Sequence, residues 1–394
     1  MSEKKKRKIC FVITSFIHYS RNFLILEELN KRNDVDLHIV LGGVVLSSKY
    51  ASHTFNVRSI LESERFENIH EIYFNLEGDH HIVKAKTVGF GIVEFSSLLY
   101  AIHPDLLVVR GDRFEVLAAV IAAAYMNIPI AHIEGGDVSG TLDESVRHAI
   151  TKLSHIHFAT NEPARERLLK MGEKKELVFN FGSPDIEVVA RAETWKLNMA
   201  SIDFENFGSG AQFDPKEEYL MVMYHPVNTE YELLSGHTKS LLDAVYKLNK
   251  QVLWFWPNFD AGSEYISHEL RIFKERTSQH KIKFLRYLPP KQFLSLLANT
   301  RCLIGNSSAG IKECSYLGIP VVNIGTRQNK RLRAENVMDC NNDTKEIFNI
   351  IGEQLRVGRY PVSHLYASND TSREIATVLA EVDLYTQKAF TDYP

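Results

Sequence analysis

Short runs rich in Val, Ile and Leu alternate with longer amphipathic stretches along this chain, and the alternation lapses once before it resumes. A strand leading into a helix and then into another strand closes most simply as a parallel crossover unit. The order therefore predicts an α/β fold, with parallel sheets carrying helices on both faces. Lys8–Thr14 reads as a strand, Arg21–Lys31 as a helix and Val35–Leu41 as a second strand. Asp105–Val109 reads as a short buried strand, Phe114–Tyr125 as a helix and Ile128–Ile133 as the next strand. Around Lys196–Glu217 the pattern fails, and Asn206, Gly208, Ser209, Gly210 and Pro215 read as a linker. Beyond it Tyr219–Tyr224, Gln251–Trp256, Lys281–Leu285, Cys302–Ile304 and Val321–Ile324 read as strands, with Tyr231–Lys250 a helix among them. At 394 residues the chain is long enough for two domains. We expect one Rossmann-like domain over residues 1–205 and a second over 206–370. The stretch Ser372–Lys388, within 371–394, is expected to be helical and to pack back on the first domain.

Hydrophobic residues make up 44% of the chain and charged residues 24%, with a formal net charge of -3. That balance offers no basic field for nucleic acid or an anionic membrane surface. The one charge run, Lys4, Lys5, Lys6, Arg7 and Lys8, reads as a solvated lead-in to the first strand. No run of about 20 apolar residues is visible, so no membrane-spanning helix is expected. The N-terminus lacks the apolar segment of a signal peptide, which points to a cytoplasmic protein. Cys10, Cys302, Cys314 and Cys340 are not spaced as C-x-x-C, so buried free thiols are expected rather than disulfides or a metal site.

In open α/β sheets ligands bind beyond the carboxyl ends of the strands, and two such domains facing each other would leave a cleft there. The polar residues that follow each strand are therefore the informative ones. After Val109 come Arg110, Gly111, Asp112 and Arg113. Asp112 is either a ligand-side acid or the N-cap of the next helix, with Arg113 then a surface charge. The next strand runs into His132, Ile133, Glu134, Gly135 and Gly136, and Gly140 follows; these glycines would let the backbone approach a ligand closely. Asp143 and Arg147 are four apart and share a helix face, as a simple helical ion pair also would. Glu134, Asp143 and Glu144 beside those glycines resemble an acid/base constellation. His225, before Pro226, closes the strand Tyr219–Tyr224. Gly305–Gly310 (GNSSAG) opens a helix with small and hydroxyl side chains, the makings of a phosphate cradle. Thr326, Arg327 and Gln328 follow the last of these strands, with Arg331 and Arg333 close by, and guanidinium groups suit phosphate. The chain lacks G-x-x-x-x-G-K-[ST], so this is no P-loop. A diphosphate held by the second domain and acids supplied by the first imply an enzyme of nucleotide sugars.

The stretch His132–His157, HIEGGDVSGTLDESVRHAITKLSHIH, resembles the signature of hydrolysing UDP-N-acetylglucosamine 2-epimerases, which open sialic acid and legionaminic acid biosynthesis. GDRF at Gly111–Phe114, GSPD at Gly182–Asp185 and YHPV at Tyr224–Val227 match as well. So do PNFDAGS at Pro257–Ser263, IGNSSAGIKE at Ile304–Glu313 and GTRQNKRLRAENV at Gly325–Val337, and together they cover most of the chain. The resemblance implies a GT-B-like fold, two Rossmann-type domains around a cleft, and a homodimer that uses a UDP-sugar without metal or cofactor. It implies that Ser307, Ser308 and Gly310 hold the diphosphate, with Arg113, Arg327 and Gln328 near it. Glu313 would take the ribose, and Ser20, Asn258 and the backbone of Leu288 would lie near the nucleotide. Asp112, Glu134, Asp143, Arg147 and His225 would surround the sugar as the catalytic set.

In the family's reaction a base removes the proton on sugar carbon 2 as UDP leaves carbon 1. Water then adds to the glycal and releases the 2-epimerised sugar. Charge building on the diphosphate suits N–H groups and arginines, and a weak carbon acid needs a positioned carboxylate. Asp112, Glu134 and Asp143 each qualify as that base. Two segments depart from the family pattern. Ser15–Arg21 (SFIHYSR) stands where the family has R-A-D-Y-S, with His18 and Arg21 as potential substitutes for the missing arginine. Val45 and Leu46 replace a histidine–leucine pair after the second strand, which fits a less polar sugar such as a 2,4-diacetamido-6-deoxy sugar. The competing readings are a non-hydrolysing epimerase, a GT-B glycosyltransferase and a non-catalytic binding module. They differ in releasing UDP-sugar, in requiring an acceptor, and in releasing nothing.

Overall fold

The computed structural model describes residues 5–47, 56–78, 80–192, 204, 208–277, 281–367 and 370–393. The chain forms two compact units, each with its own sheet. The first comprises Met1–Val138, Asp143–Val188 and Ser368–Pro394, and the second Ser139–Leu142 and Val189–Ala367.

In the first unit the strands are β1 (Arg7–Ile13), β2 (Val35–Gly42), β3 (Asn68–Ile72), β4 (Leu106–Arg110), β5 (Ile130–Ile133), β6 (Ile156–Ala159) and β7 (Val178–Asn180). They lie in the order β3-β2-β1-β4-β5-β6-β7, and every neighbouring pair is parallel. Strand order reverses between β1 and β4, so the crossovers diverge there and leave a crevice at the carboxyl ends. The core beneath it is apolar: Cys10, Val12, Val40, Leu107, Val109 and Ile130 pack with Phe95, Leu99 and the alanines of the helix Phe114–Tyr125.

The second unit holds β8 (Ser209–Gly210), β9 (Tyr219–Met223), β10 (Gln251–Phe255), β11 (Ile282–Leu285), β12 (Leu303–Gly305), β13 (Val321–Ile324) and β14 (Val337–Cys340). The order is β14-β13-β12-β9-β10-β11-β8. Only the short edge strand β8 runs antiparallel to its neighbour. Here the reversal falls between β9 and β12. Trp254, fully buried, anchors this core with Val222, Phe284, Ile304 and Val322.

The strands read from the sequence lie within two residues of those observed. Several elements add to them: β3, β6, β7, β8, β14 and the helix His81–Ile102. The helix expected from Arg21 begins earlier, at Phe16, because the Ser15 hydroxyl accepts the His18 N–H as an N-cap. The expected boundary at 205/206 moves to 188/189, inside the helix Pro184–Ala192, once β7 has completed the first sheet. Of the expected linker 196–217, residues 196–203 and 205–207 lie outside the described residues, and Ser209–Gly210 is strand rather than linker. Lys4 of the charge run also lies outside them, while Arg7 and Lys8 belong to β1.

The C-terminal segment belongs to the first unit. Its helix, Thr371–Glu381, stops before the expected Lys388. Ser372 N–H donates to Glu187 at 2.6 Å, and Arg7 donates to the Leu379 carbonyl at 3.0 Å. Lys388 donates to the carbonyls of Thr151 and Ser154.

All four cysteines are buried and unpaired. The helix His81–Ile102, 22 residues with an 18-residue window of mean hydropathy 1.2, is long and apolar enough to cross a membrane by length and composition. Charged Lys84, Lys86 and Glu94 interrupt its apolar run, which is why the sequence showed no unbroken stretch. Its buried positions Thr87, Gly91, Phe95, Leu99 and Ile102 recur every three or four residues, one stripe turned to the core. At Gly91 a Cβ would come 2.8 Å from the Ala118 Cβ, so glycine permits the close crossing of these two helices.

Candidate functional site

In the first unit β4 and β5 end side by side, Arg110 opposite Ile133. Arg110 is 1% exposed. Its Nε donates to Glu134 at 2.9 Å and its Nη2 bonds Asp185. Its Nη1 donates to the Arg21 carbonyl at 2.9 Å and to Asn22 Oδ1 at 3.2 Å. One guanidinium thus joins two carboxylates brought from the ends of β5 and β7. Glu134 itself sits at φ +74°, a left-handed conformation uncommon outside glycine. Sequence reading named Arg110 at the strand end but gave it no role; an arginine closing an apolar strand was its one signal.

Asp112 pairs with Arg147, whose Nη1 donates to the Asp137 carbonyl at 2.9 Å. Burial opposes the Arg147 charge, but Asp112, then Asp137, outweigh it and hold its pKa above the ordinary value. Asp143, one turn earlier on the helix Leu142–Leu153, adds to that field. The capping alternative for Asp112 fails: Arg113 occupies the cap position and makes no side-chain cap bond.

The nucleotide-side residues expected in this unit have other work. Arg113 forms a two-point bond with buried Glu115, at 3.1 and 3.0 Å. The Ser20 hydroxyl donates to the Ile17 carbonyl at 3.1 Å. His18 is buried and held down to about 3, first by burial and then by Arg113 and Arg110, so it is a neutral ring and no replacement for an arginine. The charge of Arg21 is met by Asp185 at 3.6 Å.

The glycines also read differently. A Cβ at Gly135 would stand 3.0 Å from His132 Nδ1, and one at Gly136 would overlap the Ala164 carbonyl oxygen. Within the second unit, a Cβ at Gly140 would overlap the Thr326 carbonyl oxygen. Packing explains all three without a ligand.

In the second unit the hub is Asn306, just beyond β12 and 1% exposed. Its amide clamps the backbone of His225: the His225 N–H donates to Oδ1 at 2.7 Å, and Nδ2 donates to the His225 carbonyl at 2.8 Å. The Asn306 carbonyl accepts from Gln328 at 2.9 Å and Arg327 at 3.2 Å. Arg327 also lies 3.6 Å from Asp260, which accepts from Asn258 at 2.5 Å. The Asn258 backbone N–H donates to His225 Nδ1 at 3.2 Å, so the ring proton sits on Nε2. Burial, then Arg327, brings His225 down to about 3. It is a neutral donor through Nε2, not an acid or base.

Gly305, at φ +131°, has no room for a side chain against the Met223 carbonyl. Ser307 caps a four-residue helix, Ser308–Ile311, its hydroxyl accepting Ala309 N–H at 3.3 Å. Ser308 beside it is half-buried. The expected cradle is therefore a short kinked turn rather than the end of a long helix. A Cβ at Gly310 would come 2.8 Å from Val321 Cγ1, so this glycine serves helix–strand packing. Glu313 opens the next short helix and Leu288 is a core side chain, 4% and 2% exposed. Asn306 was the site residue the sequence reading passed over, although it lies between the glycine and serines that drew attention.

Comparison with known proteins agrees with this layout. Residues 27–380 match the family described as UDP-N-acetylglucosamine 2-epimerase. A Legionella pneumophila protein named UDP-N,N'-diacetylbacillosamine 2-epimerase (hydrolyzing) is 32% identical over 381 residues, 97% of each chain. A Neisseria meningitidis UDP-N-acetylglucosamine 2-epimerase is 32% identical over 349 residues, 88% of this chain and 87% of that one. Among solved structures, the Methanocaldococcus jannaschii UDP-GlcNAc 2-epimerase in complex with UDP-GlcNAc and UDP superposes with a TM-score of 0.77 at 16% identity, over 94% of this chain and 99% of the other. At that identity the likeness speaks for the fold, which is GT-B-like.

Proposed function

The chain belongs to the UDP-N-acetylglucosamine 2-epimerase family, and from that premise we propose that it is a hydrolysing 2-epimerase of a UDP-linked 2-acetamido sugar. The observation that carries this reading is the pair of guanidinium–carboxylate contacts beyond β4 and β5, Arg147 with Asp112 and Arg110 with Glu134. Such contacts hold carboxylates in fixed positions, as proton transfer from carbon requires. A carboxylate of the set Asp112, Glu134 and Asp143 takes the carbon 2 proton while the carbon 1–oxygen bond to UDP breaks. The resulting glycal then gains hydroxyl at carbon 1 and a proton at carbon 2. In the second unit the neutral His225 Nε2–H and the polar groups around Asn306 are suited to the diphosphate oxygens on which charge builds.

For the sugar we favour a 2,4-diacetamido-6-deoxy substrate. The turn after β2 presents Val44, Val45 and Leu46, the first two buried, and no polar side chain. The Legionella relative's name specifies the same class of sugar. A cytoplasmic homodimer completes the proposal; the four buried, unpaired cysteines suit a reducing compartment.

The test is proton NMR in deuterated water with each UDP-sugar and no acceptor. Free 2-epimerised sugar carrying deuterium at carbon 2, together with UDP, is the expected result. Intact epimerised UDP-sugar would move the protein to the non-hydrolysing branch. Faster turnover of UDP-N-acetylglucosamine than of the diacetamido sugar would overturn the substrate preference.

A further inference from the structure

We propose that His132 is a positioning residue for this reaction: its imidazole fixes the turn that aims Asp112 and ties that turn to the helix carrying Asp143 and Arg147. The inference rests on reading Asp112 and Arg147 as groups that act on the sugar.

His132 is the penultimate residue of β5 and is completely buried. Its Nε2 lies 2.8 Å from the Gly111 carbonyl oxygen. A carbonyl only accepts, so Nε2 carries the ring proton. Nδ1 is then an acceptor, and the Thr151 hydroxyl stands 3.2 Å away to donate to it. Thr151 follows Arg147 by one helical turn and is itself fully buried. Gly111 has φ +75°, a backbone region that glycine enters without strain, and its N–H donates to the Ile133 carbonyl at 3.0 Å, which leaves its own carbonyl to be held separately. The His132 N–H supplies that hold, and Asp112 is the next residue. The ring therefore runs parallel to the Arg147–Asp112 ion pair, as a second, neutral link between the β4 exit and the helix Leu142–Leu153. The charged and titratable groups near the ring are His157, Arg147 and Asp112. Burial outweighs the bond to Gly111 and brings His132 down to about 3, so the ring stays neutral and moves no proton in the working range. Gly135 leaves room for the pair: a Cβ there would stand 3.0 Å from Nδ1 and 3.1 Å from the Thr151 hydroxyl.

The experiment compares H132Q, H132F and T151V with the wild-type chain, on whichever UDP-sugar the wild type hydrolyses. Glutamine places an amide N–H where Nε2 was, so H132Q should keep kcat within about fivefold, the effect of roughly one neutral hydrogen bond. H132F fills the space without a donor, and kcat should fall about 100-fold, as misplacement of a reacting group does. T151V should lose about fivefold. KM and UDP affinity should stay unchanged in all three, because the loss is confined to the transition state. Wild-type kcat in H132F, or a fall in UDP affinity that parallels kcat, overturns the proposal. Should H132F fail to fold, a loss of kcat of about 100-fold in H132Q, that is, no rescue by the glutamine amide, or wild-type kcat in T151V overturns it as well. Ring nitrogen NMR gives a readout independent of turnover: His132 should show the Nε2–H tautomer without titrating between about pH 5 and 8. An Nδ1–H ring, or one that titrates there, defeats the positioning role even in an active enzyme. A wild-type chain that turns over neither sugar defeats the reading of the reaction and leaves the tautomer result standing by itself.

Discussion

Both units present polar side chains at the carboxyl ends of their parallel strands, yet the groups at the centre of the two clusters differ in charge. Beyond β4 and β5 the first unit buries charge: Arg110 and Arg147, each 1% exposed, are matched by Asp185, Glu134 and Asp112. Beyond β9 and β12 the groups that meet at Asn306 are mainly neutral, its own amide, the Gln328 amide and the His225 ring, with the Arg327–Asp260 pair beside them and Lys312 and Glu313 buried on the turn that follows. Moving a proton from carbon needs full charges held in place. Receiving a dianionic leaving group needs donors that cost little to keep desolvated. The difference has an energetic consequence, because a buried charge stripped of its partner is far more costly than a buried amide stripped of one.

The largest expected effect follows from that contrast. R110M leaves Asp185, whose side chain is fully buried, and Glu134 without their shared cation. We expect a loss of about 3–5 kcal/mol in urea unfolding. N306L in the second unit removes neutral hydrogen bonds and should cost about 1–3 kcal/mol. Equal losses would show that the two sites are built alike and would break the comparison.

Activity sharpens it next. D112N keeps the shape of the Arg147 partner and removes the carboxylate, so kcat should fall about 10³-fold, within the range for a lost acid–base group. H225N shortens the side chain and withdraws the Nε2–H donor, for an expected loss of about 100-fold, as for one oxyanion donor. H225Q carries an amide N–H near that place and should recover most of it. Steady-state kinetics decide the matter, and an H225Q no better than H225N would show that His225 does more than donate.

Acid stability separates the units further. His18 and His132 in the first unit and His225 in the second are each brought down to about 3, chiefly by burial. An unfolded histidine takes its proton near 6.5. Between those values the unfolded chain binds protons that the folded one refuses. This stability is therefore complete above about pH 6.5 and is lost as pH falls toward 3, at about 1.4 kcal/mol per pH unit for each histidine. Buried His157, also held down, adds the same sign in the first unit. Hydrogen exchange at pH 7 and 5.5 should show the first unit losing more protection, and H18Q should lessen its loss. Uniform loss in both units would contradict the assignment.

How much of this was legible in the sequence varies with the kind of interaction. Strands such as β4 (LLVVR), β9 (YLMVM) and β12 (LIG) are apolar up to at most their last residue, and their carboxyl ends located Asp112, His225 and the GNSSAG turn. By contrast β3 (NIHEI) is mostly half-buried and β6 (IHFA) carries a histidine inside, so neither shows a continuous apolar pattern. Partners across the fold were not legible. Nothing in sequence spacing assigns Asp185 to an arginine 75 positions earlier, or pairs Arg113 with Glu115 instead of a phosphate. The glycines misled for the same reason: Gly136 and Gly310 are small because Ala164 and Val321 lie against them, and a chain read alone does not show what lies against it.

The smallest effects test where the resemblance and the geometry part company. Ser20 and Ser307 both carried a nucleotide role by resemblance, one in each unit. The Ser20 hydroxyl is turned back onto the Ile17 carbonyl inside its own helix. S20A should therefore change kcat and KM by less than about twofold and stability by less than about 0.5 kcal/mol. Ser307 caps its short helix through Ala309 N–H, so S307A should cost about 1 kcal/mol. If the diphosphate sits at that turn, KM should rise as well, since the loss of the hydroxyl is felt in both binding and turnover. A tenfold rise in KM for S20A with none for S307A would reverse the comparison. It would place the nucleotide's recognition in the charged unit and leave the neutral one as scaffold.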